Sequence, residues 1–184
     1  MIASQRRVCS ERGDDVVSAG RDCRIRLWDL ELQKPRQTLA DGEEVYPMAL
    51  VATGDARELM VGSTTGRMDV WQLPSGKREL SVDAHKHWVR GEGDQGWIQD
   101  LTVFADGLRA VSASCDGTLR VWNLQSGRQT RCVDYNKAPL HAVAITPDET
   151  TVLTSFQIED GHDLRHHPLG RCDVAAESAS NGRS

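Results

Sequence analysis

The sequence predicts an all-β repeat protein in which short antiparallel strands form four-stranded sheets stacked face to face. Three observations carry this. One pattern recurs three times: Val16–Leu30 reads VVSAGRDCRIRLWDL, Leu59–Leu73 reads LMVGSTTGRMDVWQL and Ala110–Leu124 reads AVSASCDGTLRVWNL, aligned without a gap on Trp28, Trp71 and Trp122. Each copy has two apolar-rich runs flanking a short turn, and the second run alternates with the period of two that sets strand side chains on opposite faces. The tryptophans are 43 and 51 residues apart, and a repeat of roughly 40–45 residues with four short strands is the period of a β-propeller blade. About four blades are expected, a partial or incomplete propeller, in units of about 1–40, 41–82, 83–134 and 135–170, with 171–184 a flexible polar tail.

Taken in order, Ile2 and Val8 suit one short strand, and Glu11-Arg12-Gly13-Asp14 is turn material. Val16, Val17 and Ala19 make a buried strand, followed by the turn Gly20-Arg21-Asp22-Cys23. In the next strand Ile25 and Leu27 point one way, and Arg24, Arg26 and Trp28 the other. Leu30–Arg36 is expected as a loop closed by Pro35, with Gln37–Leu39 an outer strand. The second unit runs through strands at Val45–Ala52, Glu58–Gly62, Met68–Trp71 and Arg78–Val82. The third opens with an insertion, Asp83–Gly96, reading DAHKHWVRGEGDQG, before strands at Trp97–Phe104, across the tryptophan copy and at Thr130–Val133. The fourth has strands at Leu140–Thr146 and Thr151–Phe156, then Leu164–Leu169, which reads LRHHPL where the third reads LRVWNL. His167 takes the tryptophan position there, and Pro168 lacks a ladder donor, which marks a weak or edge strand.

Composition narrows the function classes. The chain has 184 residues, 39% hydrophobic and 27% charged, which suits a globular chain with a real core. With 22 basic and 27 acidic residues and a net charge of −5, it lacks the clustered basic surface that nucleic-acid binding demands. No apolar run is long enough to span a membrane. The five cysteines, Cys9, Cys23, Cys115, Cys132 and Cys172, are odd in number and widely spaced, as in reduced thiols of a cytoplasmic or nuclear protein.

These repeats resemble the WD-repeat family over roughly Val8–Leu169. Trp28-Asp29 is the signature dipeptide, and Trp71-Gln72 and Trp122-Asn123 are near variants. The resemblance implies a buried hydrogen-bonded chain of His, Ser or Thr, Asp and Trp within a blade, because a tryptophan N–H buried between sheets needs an acceptor. In the third unit the matching residues are Ser112, Asp116 and Trp122, with His85 the histidine and His87 a competitor. The first unit keeps Ser18, Asp22 and Trp28 with no histidine upstream. The second has Val61 and Thr65 at the Ser and Asp positions, so its chain is missing. The fourth keeps Thr154, and Asp160 as its aspartate, and loses the tryptophan. On this reading His85 and Asp116 are structural, not a catalytic dyad.

The family usually closes its ring with about seven blades, against about four here. Three arrangements answer this: a piece of a longer propeller, a four-blade ring, or two chains sharing one ring by self-association through the open propeller ends. No His-Glu-x-x-His, Gly-x-Ser-x-Gly or phosphate loop occurs. The groups Asp83, His85, His87 and His162, His166, His167, Cys172 have ligand types without the spacing of a structural metal site, so no metal and no cofactor is expected. The expected function is a non-catalytic scaffold for other proteins or peptides, with no membrane partner. The competing reading is a regulatory or adaptor propeller of a larger enzyme complex, such as a ubiquitin-ligase adaptor or a kinase or nucleotide-switch regulator. The candidate partner surface is the Asp83–Gly96 connection with Trp88 and Arg90, beside a modest basic rim of Arg21, Arg24 and Arg67.

Overall fold

Alternation of apolar and polar residues lets one face of a sheet be buried, but a propeller blade must bury both, so its central strands carry apolar residues on each side. Met60 and Val111 on one face, and Leu59 and Ala110 on the other, are all fully buried. The computed structural model describes residues 6–9, 15–20, 22–40, 46–73, 75–85, 96–135, 138–158 and 161–168, with the backbone alone for 6–9, 15, 40, 157–158 and 161–168.

The described residues form fifteen strands and no helix. In chain order they are β1 (Arg6–Cys9), β2 (Asp15–Ala19), β3 (Ile25–Asp29), β4 (Lys34–Ala40), β5 (Pro47–Ala52), β6 (Glu58–Ser63), β7 (Arg67–Gln72), β8 (Lys77–Asp83), β9 (Ile98–Val103), β10 (Arg109–Ser114), β11 (Thr118–Asn123), β12 (Arg128–Asp134), β13 (Leu140–Ile145), β14 (Thr151–Ile158) and β15 (Gly161–Pro168). Each sheet is an antiparallel meander: β1-β2-β3-β4, β5-β6-β7-β8, β9-β10-β11-β12 and β13-β14-β15.

Strands β1, β5, β9 and β13 neighbour one another in succession, while β4, β8 and β12 lie outermost. Among the described residues the fourth sheet makes no comparable contact with the first, so the arc is not closed. Three apolar clusters fill the three seams. Val17 and Leu27 of the first sheet meet Leu59 and Trp71 of the second. Met60 and Val70 of the second meet Ala110 and Trp122 of the third. Val111 and Val121 of the third meet Val143 and Val152 of the fourth. Each sheet thus has an incoming face, which bears the tryptophan where one is present, and in the first three sheets the outgoing face seats the next sheet.

Two strand expectations change. Pro35 does not close a loop; β4 begins at Lys34 and pairs Pro35 with Trp28 across a register shift. An outermost strand with a bulge tolerates a residue that cannot donate to the ladder. The strand expected at Leu164–Leu169 begins earlier, at Gly161, and runs to Pro168 at the edge of a sheet that has three strands among the described residues.

In the first three sheets the turn between the second and third strand holds a left-handed residue. Gly66 and Gly117 supply it with φ of 80°. Cys23 holds the same place in the first sheet at φ 58°, a conformation that disfavours a residue with a Cβ.

Candidate functional site

Four side chains, from β10, β11, the turn between them and the segment after β8, meet at the seam between the second and third sheets. Ser112 lies mid-strand on β10 and Trp122 on β11, and the register sets them on one face. Asp116 sits in the turn between those strands. His85 follows the end of β8, so it reaches the third sheet from the second. The Trp122 indole N–H donates to Ser112 Oγ at 2.9 Å. Ser112 Oγ lies 2.6 Å from His85 Nε2, and His85 Nδ1 lies 3.1 Å from Asp116 Oδ2. One proton order satisfies all three contacts. Trp122 donates to Ser112, the Ser112 hydroxyl donates to an unprotonated Nε2, and the Nδ1–H donates to the carboxylate.

Thr118 closes the other side of the carboxylate. Its hydroxyl and its backbone N–H both donate to Asp116 Oδ1, at 2.7 and 2.8 Å. Thr118 Oγ1 also lies 3.1 Å from His85 Nδ1 and accepts from Arg120 Nε at 3.0 Å. A guanidinium nitrogen of Arg120 is 3.5 Å from Asp116 Oδ2. The His85 and Asp116 side chains are fully buried. Burial pushes the imidazole below the ordinary histidine range, outweighing the Asp116 contact that pulls it up. Burial alone would raise the Asp116 carboxyl, but hydrogen bonds from His85 and Thr118 hold it well below the usual carboxylate range. The arrangement is a neutral histidine held between a buried hydroxyl and a fixed carboxylate, closed off from solvent.

The same residues tie neighbouring sheets through the backbone. The N–H groups of Ala84 and His85 both donate to the Gly66 carbonyl, at 2.9 and 3.0 Å, so the β6–β7 turn of the second sheet is stapled to the segment that enters the third. Tyr135 N–H repeats this with the Gly117 carbonyl at 2.9 Å.

In the first sheet the chain stops after one link. Trp28 Nε1 donates to Ser18 Oγ at 2.8 Å. Asp22 is exposed and pairs with Arg26 at 2.6 Å, so it serves a surface ion pair. In the second sheet Trp71 is 8% exposed, and its indole nitrogen has no hydrogen-bond acceptor among the described residues. Val61 stands where Ser18 and Ser112 stand, and Ser63 and Thr65 bond to each other at 3.0 Å instead.

The rim residues divide. Arg24 is exposed, and its backbone N–H donates to Asp22 Oδ1 at 3.3 Å. Arg67 is drawn inward, 3.1 Å from the buried Asp69, which reduces the basic rim expected there. Arg24, Arg67 and Thr118 hold one repeat position just after the turn. Trp88, Arg90, Arg21, His87 and Asp160 lie outside the described residues. Among the described residues no group of three His, Cys, Asp or Glu side chains could hold a metal ion, and no helix is long and apolar enough to cross a membrane. Sequence reasoning missed Thr118 and Arg120; their signal was a hydroxyl and a cation two and four residues after Asp116, on the strand leaving its turn.

Comparison with known proteins agrees with this architecture. The family described as WD domain, G-beta repeat matches residues 6–29 and 79–123. The chain is 25% identical over 157 residues to the WD repeat-containing protein SL1-17 of Schistosoma mansoni, covering 81% of this chain and 48% of that protein. It is 28% identical over 131 residues to the methylosome protein WDR77 of Xenopus laevis, covering 68% of this chain and 38% of that one. Among solved structures, a chain of Kuenenia stuttgartiensis hydrazine synthase superposes with a TM-score of 0.73 at 15% identity, over 88% of this chain and 45% of that chain, a likeness of fold alone. The chain therefore spans less than half the length of each. Three aligned tryptophan units, laid out as successive antiparallel sheets around an arc, give the chain repeats similar to those of the WD-repeat family and the fold of β-propeller blades.

Proposed function

We propose that the chain is a non-catalytic scaffold that captures a protein or peptide on the rim formed by the turns at 22–24, 63–67 and 114–118 and the 83–96 connection. The observation that supports this most is the stapling of that rim. Gly66 is fixed by the segment that leads into the 83–96 connection, and the Asp116 turn is fixed by His85, so the connection leaves from a rigid base. A loop presented on a rigid scaffold loses less entropy on binding than one on a mobile support. Trp88 and Arg90 supply the residue types that anchor interfaces. Cys23, Cys115 and Cys132 stand as thiols rather than disulfides, which suits a reducing compartment, the cytoplasm in the first instance. The name of the methylosome relative puts that protein in an assembly, which supports the adaptor form of this reading.

The test is site-specific photo-crosslinking in cells with the probe at position 88, 24 or 106. The β9–β10 turn at 106 lies at the opposite end of the strands and serves as control. Discrete protein adducts from 88 and 24 are expected, with those from 24 lost when Trp88→Ala is added. Adducts from 106 alone would overturn the assignment of the rim.

A further inference from the structure

The seams repeat, so the two outermost faces can be read from the inner ones. On incoming faces, Leu59, Val61 and Trp71 of the second sheet and Ala110, Ser112 and Trp122 of the third are all buried. The equivalent Val16, Ser18 and Trp28 of the first sheet are partly exposed. On outgoing faces, Met60 and Val111 are fully buried under the next sheet, whereas the equivalent Leu153 is 42% exposed. Its cross-strand partner Ala144 and the nearby Ala142 are exposed too. Across β13 and β14 the fourth sheet alternates: Val143 and Thr154 point into the third seam, and Ala144 and Leu153 point away from it. The molecule thus carries the two halves of one more seam, an apolar outgoing face and a tryptophan-bearing incoming face, on its two ends.

We propose that two copies of the chain join head to tail, the fourth sheet of each seating on the first sheet of the other, so that two equal seams close one ring. The repetition of the seams favours a second copy. The two faces are homologous to the halves of seams already formed within the chain, with Leu153 in the place of Met60, and Val16 and Trp28 in the places of Ala110 and Trp122. A head-to-tail contact that closes after two copies is a two-fold dimer, whereas one that fails to close makes filaments. Covering Leu153, Ala142 and Ala144 also removes an apolar edge region that would otherwise invite unspecific pairing. This surface is separate from the rim proposed above, so its failure leaves that reading standing.

Charge rescue tests the seam. Sedimentation equilibrium of the 184-residue chain should give twice the 20.3 kDa chain mass. Leu153→Arg and Val16→Glu each place a charge in both seams and should each give monomers with unchanged far-ultraviolet circular dichroism. Mixed together they should form dimers again, because one seam then pairs arginine with glutamate and the other is native. A monomeric native chain, a native chain that polymerises without closing, a dimer indifferent to Leu153→Arg, or a mixture that stays monomeric would overturn the proposal.

Discussion

Trp71 and Trp122 occupy the same position of adjacent sheets and are almost equally buried, at 8% and 4% exposure, yet their polar ends fare differently. Trp122 ends a chain of donors and acceptors that runs through Ser112 and His85 to Asp116. Trp71 faces Val61, and its N–H meets nothing that accepts it among the described residues, while the Arg78 guanidinium sits 5.5 Å from its ring centre. Apolar burial suffices to place a tryptophan between sheets. What the polar chain adds is a defined path from one sheet to the next, because His85 belongs to the segment leaving the second sheet and Ser112, Asp116 and Trp122 to the third. The unfulfilled donor of Trp71 costs stability, since a buried group without its partner forfeits its water and gains nothing in exchange.

Substitutions can widen or narrow that difference. The largest effect is expected from Trp122→Ala, a loss of about 3–5 kcal/mol from the cavity left between the second and third sheets, read by urea unfolding. Acid should act next. His85 is held neutral in the fold, so below about pH 6.5 the unfolded chain takes up a proton that the folded chain refuses. Stability should then fall by up to about 1.4 kcal/mol per pH unit until the imidazole is forced to protonate. Asp116 adds a second loss below about pH 3.9, where the unfolded carboxylate protonates first. His85→Gln should flatten the first limb and reduce the second, because His85 supplies one of the hydrogen bonds that hold the Asp116 carboxyl down. Ser112→Ala, which strips Trp122 and His85 of their shared partner, should cost about 1–3 kcal/mol. The converse change, Val61→Thr, should give Trp71 an acceptor at nearly constant shape and raise stability by about 1 kcal/mol. The smallest effect is expected from Cys23→Gly, a gain below about 1 kcal/mol, because relief of the left-handed strain is partly offset by the added freedom of the unfolded chain.

Much of this difference was legible in the sequence. Gapless alignment on the tryptophans puts Ser18, Val61 and Ser112 in one column and Asp22, Thr65 and Asp116 in another, and the period-two pattern sets which side of a strand each takes. Identity alone could not say what Asp22 does. Without a histidine above it, the carboxylate turns outward to Arg26, a pairing decided by a neighbour four residues along. Nor could spacing choose between His85 and His87, which lie two residues apart; the two backbone bonds from Ala84 and His85 to Gly66 fix the position of His85. Pro35 misled because proline reads as a loop former, while the outermost strand asks so little of its ladder that a bulge absorbs it. The inward turn of Arg67 was hidden for a related reason, since Asp69 on the same strand stands where the other two sheets carry Arg26 and Arg120.

The most direct test of the hydrogen-bonded chain is nitrogen-15 and proton NMR of the imidazole of His85, identified by its loss in His85→Gln. The geometry predicts a ring with its proton on Nδ1 that stays neutral below the pH at which an exposed histidine takes up its second proton. A ring that carries its proton on Nε2, or that titrates near pH 6.5 like an exposed histidine, would contradict the account.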